Sequence, residues 1–205
     1  MNKVLNSIKS IDDVATGHLP GYFFPKLVEL GHLAIEPLSS NSLGNICYYL
    51  HFNNLFRRFN NKNEIVDLAK PDSIENSYEL YEEFDEIILK PGESIIGQTF
   101  EKIGISNWLL AKLENTSALG RVFLNHASHG FSHPGHGSNE PIRIMLELTN
   151  LGKKDVKIHT AKIVDGKVIG TEAMRIYIEK LPYPAEDYKE ISSTHKLKMN
   201  GSDKS

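Results

Sequence analysis

Three side chains near the middle of the chain have the types and spacing to do chemistry. Glu147 lies in the run Ile142 to Leu148. Strand alternation there puts Ile142, Ile144, Leu146 and Leu148 on one face and Arg143, Met145, Glu147 and Thr149 on the other. If the second face is wet, Glu147 is an ordinary surface carboxylate. If a pocket or another subunit covers it, burial raises its pKa and suits it to general acid/base work. Ser117 and Arg121 stand four residues apart around Ala118-Leu119-Gly120. On one helical turn they share a side, and a hydroxyl beside a guanidinium can cradle a phosphate or an oxyanion. The alternative for the same pair is a helix N-cap and a solvated arginine. Four of the nine histidines, His126, His129, His133 and His136, crowd the loop that follows. Imidazoles suggest a metal site, but Gly130, Pro134-Gly135 and Gly137 break helical spacing and the loop holds no cysteine. A polar loop beside a ligand is the better expectation, with no metal held by the protein.

These groups need a scaffold, and the flanking sequence supplies short strands. Residues 1–16 place Val4, Leu5, Ile8 and Ile11 at near-helical spacing, and Phe24 to Leu30 has Pro25 in a first turn and Gly31 as a stop. Ile46 to Phe52, Glu86 to Leu89, Ser94 to Glu101, Trp108 to Leu113, Val156 to Ile163, Lys167 to Ile169 and Met174 to Glu179 read as strands. Lys90-Pro91-Gly92-Glu93 is a turn, and Asp165-Gly166 signals a hairpin. Residues 67–85 are acidic and read as a surface loop. The pattern predicts a mainly β barrel or double-sheet roll, with short helices confined to an N-terminal part, residues 1–31. One domain over 1–191 and a polar, mobile tail over 192–205 complete the expectation.

Composition narrows the function classes. The chain has 205 residues, 40% hydrophobic and 24% charged, with a net charge of −3. That balance offers no basic footprint for nucleic acid or an anionic membrane. No apolar run has the roughly 18 residues of a membrane span, and the first residues lack the apolar core of a signal peptide. A cytoplasmic location is therefore expected. Cys47 is the only cysteine, which excludes an internal disulfide and a cysteine-based zinc site.

Read together, these segments resemble the dCTP deaminases of the trimeric dUTPase-like superfamily. LENTSALGR, then HPG, then MLELTN stand where that family has a stretch close to LEGRSSLAR, a DPG loop and a strand carrying its catalytic glutamate before an asparagine. IILKPGESIIGQTFEKIGI is similar to the family's strand, PGE turn and strand with threonine then glutamate. LVELGHLAIEPL, IVDGKVIGTEAMRIYIEKL and LPYPAEDY are similar to its early helix and strand, late glycine turn and strand, and lid. The resemblance spans about residues 1–190 and implies a dUTPase-like distorted β-barrel or jelly roll. By position it implies Glu147 as the acid/base, Ser117 and Arg121 as catalytic partners, and Thr116, His129, His133, Tyr183 and Lys189 as substrate-binding residues. It further implies a homotrimer with sites between subunits, magnesium carried by a nucleotide triphosphate, and deamination of dCTP to dUTP and ammonia without zinc. Zinc deaminases use His-x-Glu with Pro-Cys-x-x-Cys, and no histidine here has glutamate two residues on. The chain departs from the family pattern at Thr116, usually arginine, at His133, usually aspartate, and at Tyr49 and His51, usually aspartate and arginine. Two alternatives stand beside that reading. One is a dUTP diphosphatase or a bifunctional, dUMP-forming deaminase, and Tyr49 in place of the early-strand aspartate counts against it; the other is a nucleotide-binding protein of the same fold without chemistry, and the missing phosphate ligands favour it.

Overall fold

The structure is a computed structural model that describes residues 2–60, 65–127 and 130–186. Its helices are single turns: α1 (Asn2–Ser7), α2 (Phe24–Glu29), α3 (Pro71–Glu75) and α4 (Ser117–Arg121). The first half of the strands comprises β1 (Gly17–His18), β2 (Leu33–Glu36), β3 (Tyr48–His51), β4 (Leu55–Arg58), β5 (Glu82–Glu83), β6 (Glu86–Leu89) and β7 (Ser94–Ile105). The second half comprises β8 (Leu109–Asn115), β9 (Leu124–His126), β10 (Phe131–Ser132), β11 (Ile142–Asn150), β12 (Val156–His159), β13 (Lys162–Val164), β14 (Lys167–Ile169) and β15 (Glu172–Lys180).

Two antiparallel sheets carry the fold. One runs β1-β15-β8-β10, with β3 also paired to β15. The other runs β5-β4-β7-β11-β9, with β2 also paired to β7. Period-2 alternation supplies each sheet with one apolar face. Ile95, Ile103, Ile105, Leu146 and Leu148 from the second sheet join Leu109, Ala111, Ile176 and Ile178 from the first in one hydrophobic cluster. Burying each such aliphatic chain contributes about 1.5–3 kcal/mol, so the inward faces fix the register of both sheets. Leu146 and Leu148 are inward, and Glu147 between them is therefore outward.

The mainly β architecture agrees with the sequence pattern, and Asp165-Gly166 forms the expected turn with φ of 50° and 73°, the left-handed pair a two-residue hairpin uses. Four local expectations are corrected. Helices are not confined to the N-terminal part, because Thr116 caps α4 and Pro71 opens α3. The strand beginning at Ser94 continues to Ile105, since Ile103 and Ile105 keep filling the core. The run from Val156 to Ile163 is two strands, broken where Thr160 N–H bonds to Asp85 O and Ala161 N–H to Phe52 O. Residues 67–85 form more than a loop, as described below. Residues 192–205 lie outside the described residues. No helix of the described residues is long and apolar enough to cross a membrane.

Candidate active site

Glu147 faces away from the core, yet it is only partly exposed. The cover comes from the excursion between β4 and β6. Its anchor is Arg57, on β4 and only 5% exposed. Across β4, β7 and β11 the residues Arg57, Ile96 and Glu147 stand in register, so they share the outer face. The Arg57 guanidinium donates from Nη1 to Glu75 Oε1 at 2.7 Å, from Nη2 to Glu75 O at 3.2 Å, and from Nε to Glu79 O at 2.9 Å. The Tyr78 and Tyr81 rings lie 5.0 Å from it. A planar five-donor cation between two aromatic rings is what guanidinium chemistry does well and an ammonium does not. The acidic excursion thus folds down onto the sheet because one buried cation holds it there.

Beneath that cover lies the carboxyl of Glu147. Its Oε2 is buried without a hydrogen-bond partner. Burial holds its pKa above the usual carboxylate range, because water no longer solvates the ion. Its charge in turn helps to raise Tyr78, after burial, and acts more weakly on Tyr81, so both phenols lie within its field.

Ser117 and Arg121 come together as their spacing predicts. Arg121 Nη2 donates to Ser117 Oγ at 3.4 Å, and both side chains are exposed. Thr116, not Ser117, is the N-cap: it is buried, and its Oγ1 accepts from Leu119 N–H at 3.4 Å. Within one chain, among the described residues, no hydrogen bond or ion pair joins Glu147 to Ser117 or Arg121. α4 leads into β9, which pairs with the C-terminal part of β11, and Ala127 N–H donates to Glu147 O at 2.8 Å.

The histidine loop divides. His126 is buried in β9, its Nε2 3.1 Å from Ala173 O. His129 lies outside the described residues. His133 is exposed and His136 partly buried, with the His136 amide bonded to His133 O. Burial, and then the neighbouring His133, hold His136 below the usual histidine range. His136 O accepts from Ile105 N–H, and Gly137 packs so closely on Gly104 that a side chain at either would clash. That end of β7 is eight residues from Ile96, roughly 26 Å at strand rise, so His133 and His136 are remote from the Glu147 of their own chain. Among the described residues no three His, Cys, Asp or Glu side chains converge on a point. Tyr183 follows β15 and is 79% exposed, on a segment tied to Asn107 and Trp108. Lys189 lies outside the described residues. On the first sheet Tyr49 and Glu114 flank Arg175 across the strands, while His51 lies buried against the fully buried Glu101, Nδ1 to Oε1 2.8 Å.

Arg57, Tyr78 and Tyr81 were not singled out by sequence. The available signal was an arginine directly after the apolar Leu55-Phe56 of a strand, followed by two tyrosines in an otherwise acidic stretch.

Comparison with known proteins adds to this geometry. A family model described as dCTP deaminase-like matches residues 19–165. A protein of Bifidobacterium animalis named dCTP deaminase, dUMP-forming, is 34% identical over 134 residues, 62% of this chain and 65% of its own length. A namesake from Tropheryma whipplei is 33% identical over 128 residues, 62% of this chain and 63% of its own length. The chain thus spans less than two thirds of the length of these curated relatives. Among solved structures, a 2'-deoxycytidine 5'-triphosphate deaminase from Agrobacterium tumefaciens matches with a TM-score of 0.59 at 14% identity, over 82% of this chain and 49% of that one. That last likeness is one of fold.

Proposed function

The chain belongs to the dCTP deaminase-like family, and from that premise we propose that it hydrolyses the C4 amine of dCTP or a close deoxycytidine nucleotide. The observation that carries this is Glu147: a partly buried, outward-facing carboxyl with an unpartnered oxygen and a raised pKa. A raised pKa brings the carboxylate nearer to neutral pH, where a general base and acid is most effective. Glu147 takes a proton from water as the oxygen bonds to C4. It passes that proton to ring N3, then takes the proton of the new C4 hydroxyl and gives it to the amine. The C4–N bond breaks as the C4 carbonyl forms, and the uracil nucleotide and ammonia remain.

Ser117 and Arg121 act on the same substrate from a neighbouring protomer of a homotrimer. Their exposure and their lack of contact with the Glu147 of their own chain support that arrangement. The exposed Tyr183 and also Lys189 would bind the nucleotide, and His133 would contact it from a second protomer. Magnesium would be carried by the triphosphate. It would neutralise phosphate charge, and no step at the base runs through it. Zinc plays no part in the proposed reaction.

The relatives' names favour a second reading, in which the triphosphate is also cleaved and the products are dUMP, diphosphate and ammonia. Incubation with dCTP separates the outcomes. Ammonia with dUTP supports deamination alone, and ammonia with dUMP and diphosphate supports the bifunctional reading. Stabilisation by nucleotide without ammonia would select a binding protein without chemistry.

A further inference from the structure

The outer face of the second sheet holds another polar group that the mechanism does not use. Gln98 stands on β7 directly opposite Met145 of β11, and Ile96 stands opposite Glu147. Gln98 and Glu147 are therefore diagonal neighbours on one face, at a spacing of about 7–8 Å between backbones that long side chains can bridge. Gln98 is only 7% exposed. Among the described residues its carboxamide makes no hydrogen bond. The amide reaches that outer face rather than being sealed in the core, in a strand whose other outward and inward positions include Ile95, Ile96, Ile103 and Ile105.

A buried carboxyl oxygen without a partner, beside a carboxamide that makes no hydrogen bond, invites a ligand with a row of polar atoms along one edge. A cytosine ring has such an edge, with its amine, N3 and C2 carbonyl in sequence. Glu147, acting at C4 and N3, takes the first two positions. The C2 oxygen then falls to the neighbour, and a carboxamide offers it an N–H. Resting on the function proposed above, we infer that Gln98 is a substrate-binding residue that donates a hydrogen bond to the C2 oxygen of the pyrimidine held against Glu147. That contact is shared by cytosine and uracil, so it holds substrate and product alike and selects pyrimidines as a class.

The experiment measures binding of dCTP, dUTP and 2-thio-dCTP to the full chain by calorimetry, for the wild type and for Gln98→Met, which keeps the length of the side chain. A lost neutral hydrogen bond is worth up to about tenfold in affinity. The expected result is that Gln98→Met binds dCTP and dUTP about tenfold more weakly, by equal factors, and melts no lower than the wild type. The wild type should prefer oxygen to sulfur at C2 by several fold, and the variant should not. Equal wild-type affinity for dCTP and 2-thio-dCTP overturns the inference even if the variant fails to fold. So does a variant that binds dCTP within twofold of the wild type, or one that keeps the preference for oxygen. A wild type that binds no pyrimidine nucleotide overturns both this inference and the function on which it rests, whereas ammonia release that is indifferent to Gln98 overturns this inference alone.

Discussion

Replacing Glu147 by glutamine should abolish turnover and make the protein more stable at neutral pH. The two effects have one origin. Oε2 is buried without a partner, and burial raises the pKa of the carboxyl. At pH 7 the unfolded chain holds this carboxylate in water, while the folded chain holds it where ionisation is penalised. Its charge therefore destabilises the fold above its folded pKa. The penalty fades as pH falls through that folded pKa and is gone below the unfolded value, where both states are protonated. Glutamine keeps the shape and removes the charge. An unpaired buried polar group costs about 1–3 kcal/mol, and more when charged, so exchanging ion for amide should return about 1 kcal/mol. For a chain of this size that is about 2–4 °C in melting temperature. Ammonia release should fall by about 10²–10⁴, the range a general acid/base supplies. Calorimetric melts from pH 4 to pH 8, paired with an ammonia assay, check both halves. The stability gain should be largest at high pH and vanish near pH 4. A variant that melts lower than the wild type at pH 7, or that releases ammonia within tenfold of it, would refute the reasoning.

Four further outcomes are expected. Arg57→Ala should destabilise by about 2–4 kcal/mol in urea melts, since it strips the excursion of its buried anchor, and Arg57→Lys should recover only part of that loss. Thr116→Ala should cost about 1 kcal/mol as a lost N-cap, whereas Ser117→Ala should stay within about 0.5 kcal/mol while lowering turnover. His51→Ala should cost about 1–3 kcal/mol by leaving the buried Glu101 short of a hydrogen-bond partner. Equal mixtures of two inactive variants, Glu147→Gln and Arg121→Ala, should regain about a quarter of wild-type ammonia release after subunit exchange, because about one inter-subunit site in four then pairs an intact Glu147 with an intact Arg121. No recovery would place both residues in one chain's site.

What could be read from sequence followed from short-range rules. Alternation in β11 located Glu147 on the outer face, and the four-residue spacing of Ser117 and Arg121 brought them together on α4. The Asp165-Gly166 turn needed only local conformation. What could not be read depends on chain segments far apart in sequence. Whether Glu147 meets water is decided by Arg57, 90 residues earlier, holding down a segment whose acidity reads as solvent-exposed. The capping role of Thr116 over Ser117 is a one-residue shift that spacing cannot resolve. The histidines looked like one cluster because they are close in sequence, but β9 draws His126 inward while the turn at Gly137 docks on Gly104 at the far end of β7.

These polar groups fall into two kinds. Arg57 spends its donors within its own chain, and the buried Glu101 is met by His51 through both its ring and its backbone N–H. Those groups hold structure. Glu147, by contrast, is sheltered with a carboxyl oxygen that nothing in the chain engages, and the Gln98 carboxamide beside it makes no hydrogen bond among the described residues. Marginal stability makes such groups costly to keep without return. Ser117 and Arg121 show the complementary pattern, exposed and joined only to each other by a long contact. In the proposed reaction a substrate edge would satisfy the first pair and a phosphate the second. The proposed trimer is what would place both around one nucleotide, and for that reason the mixing experiment bears on the site as much as on the assembly.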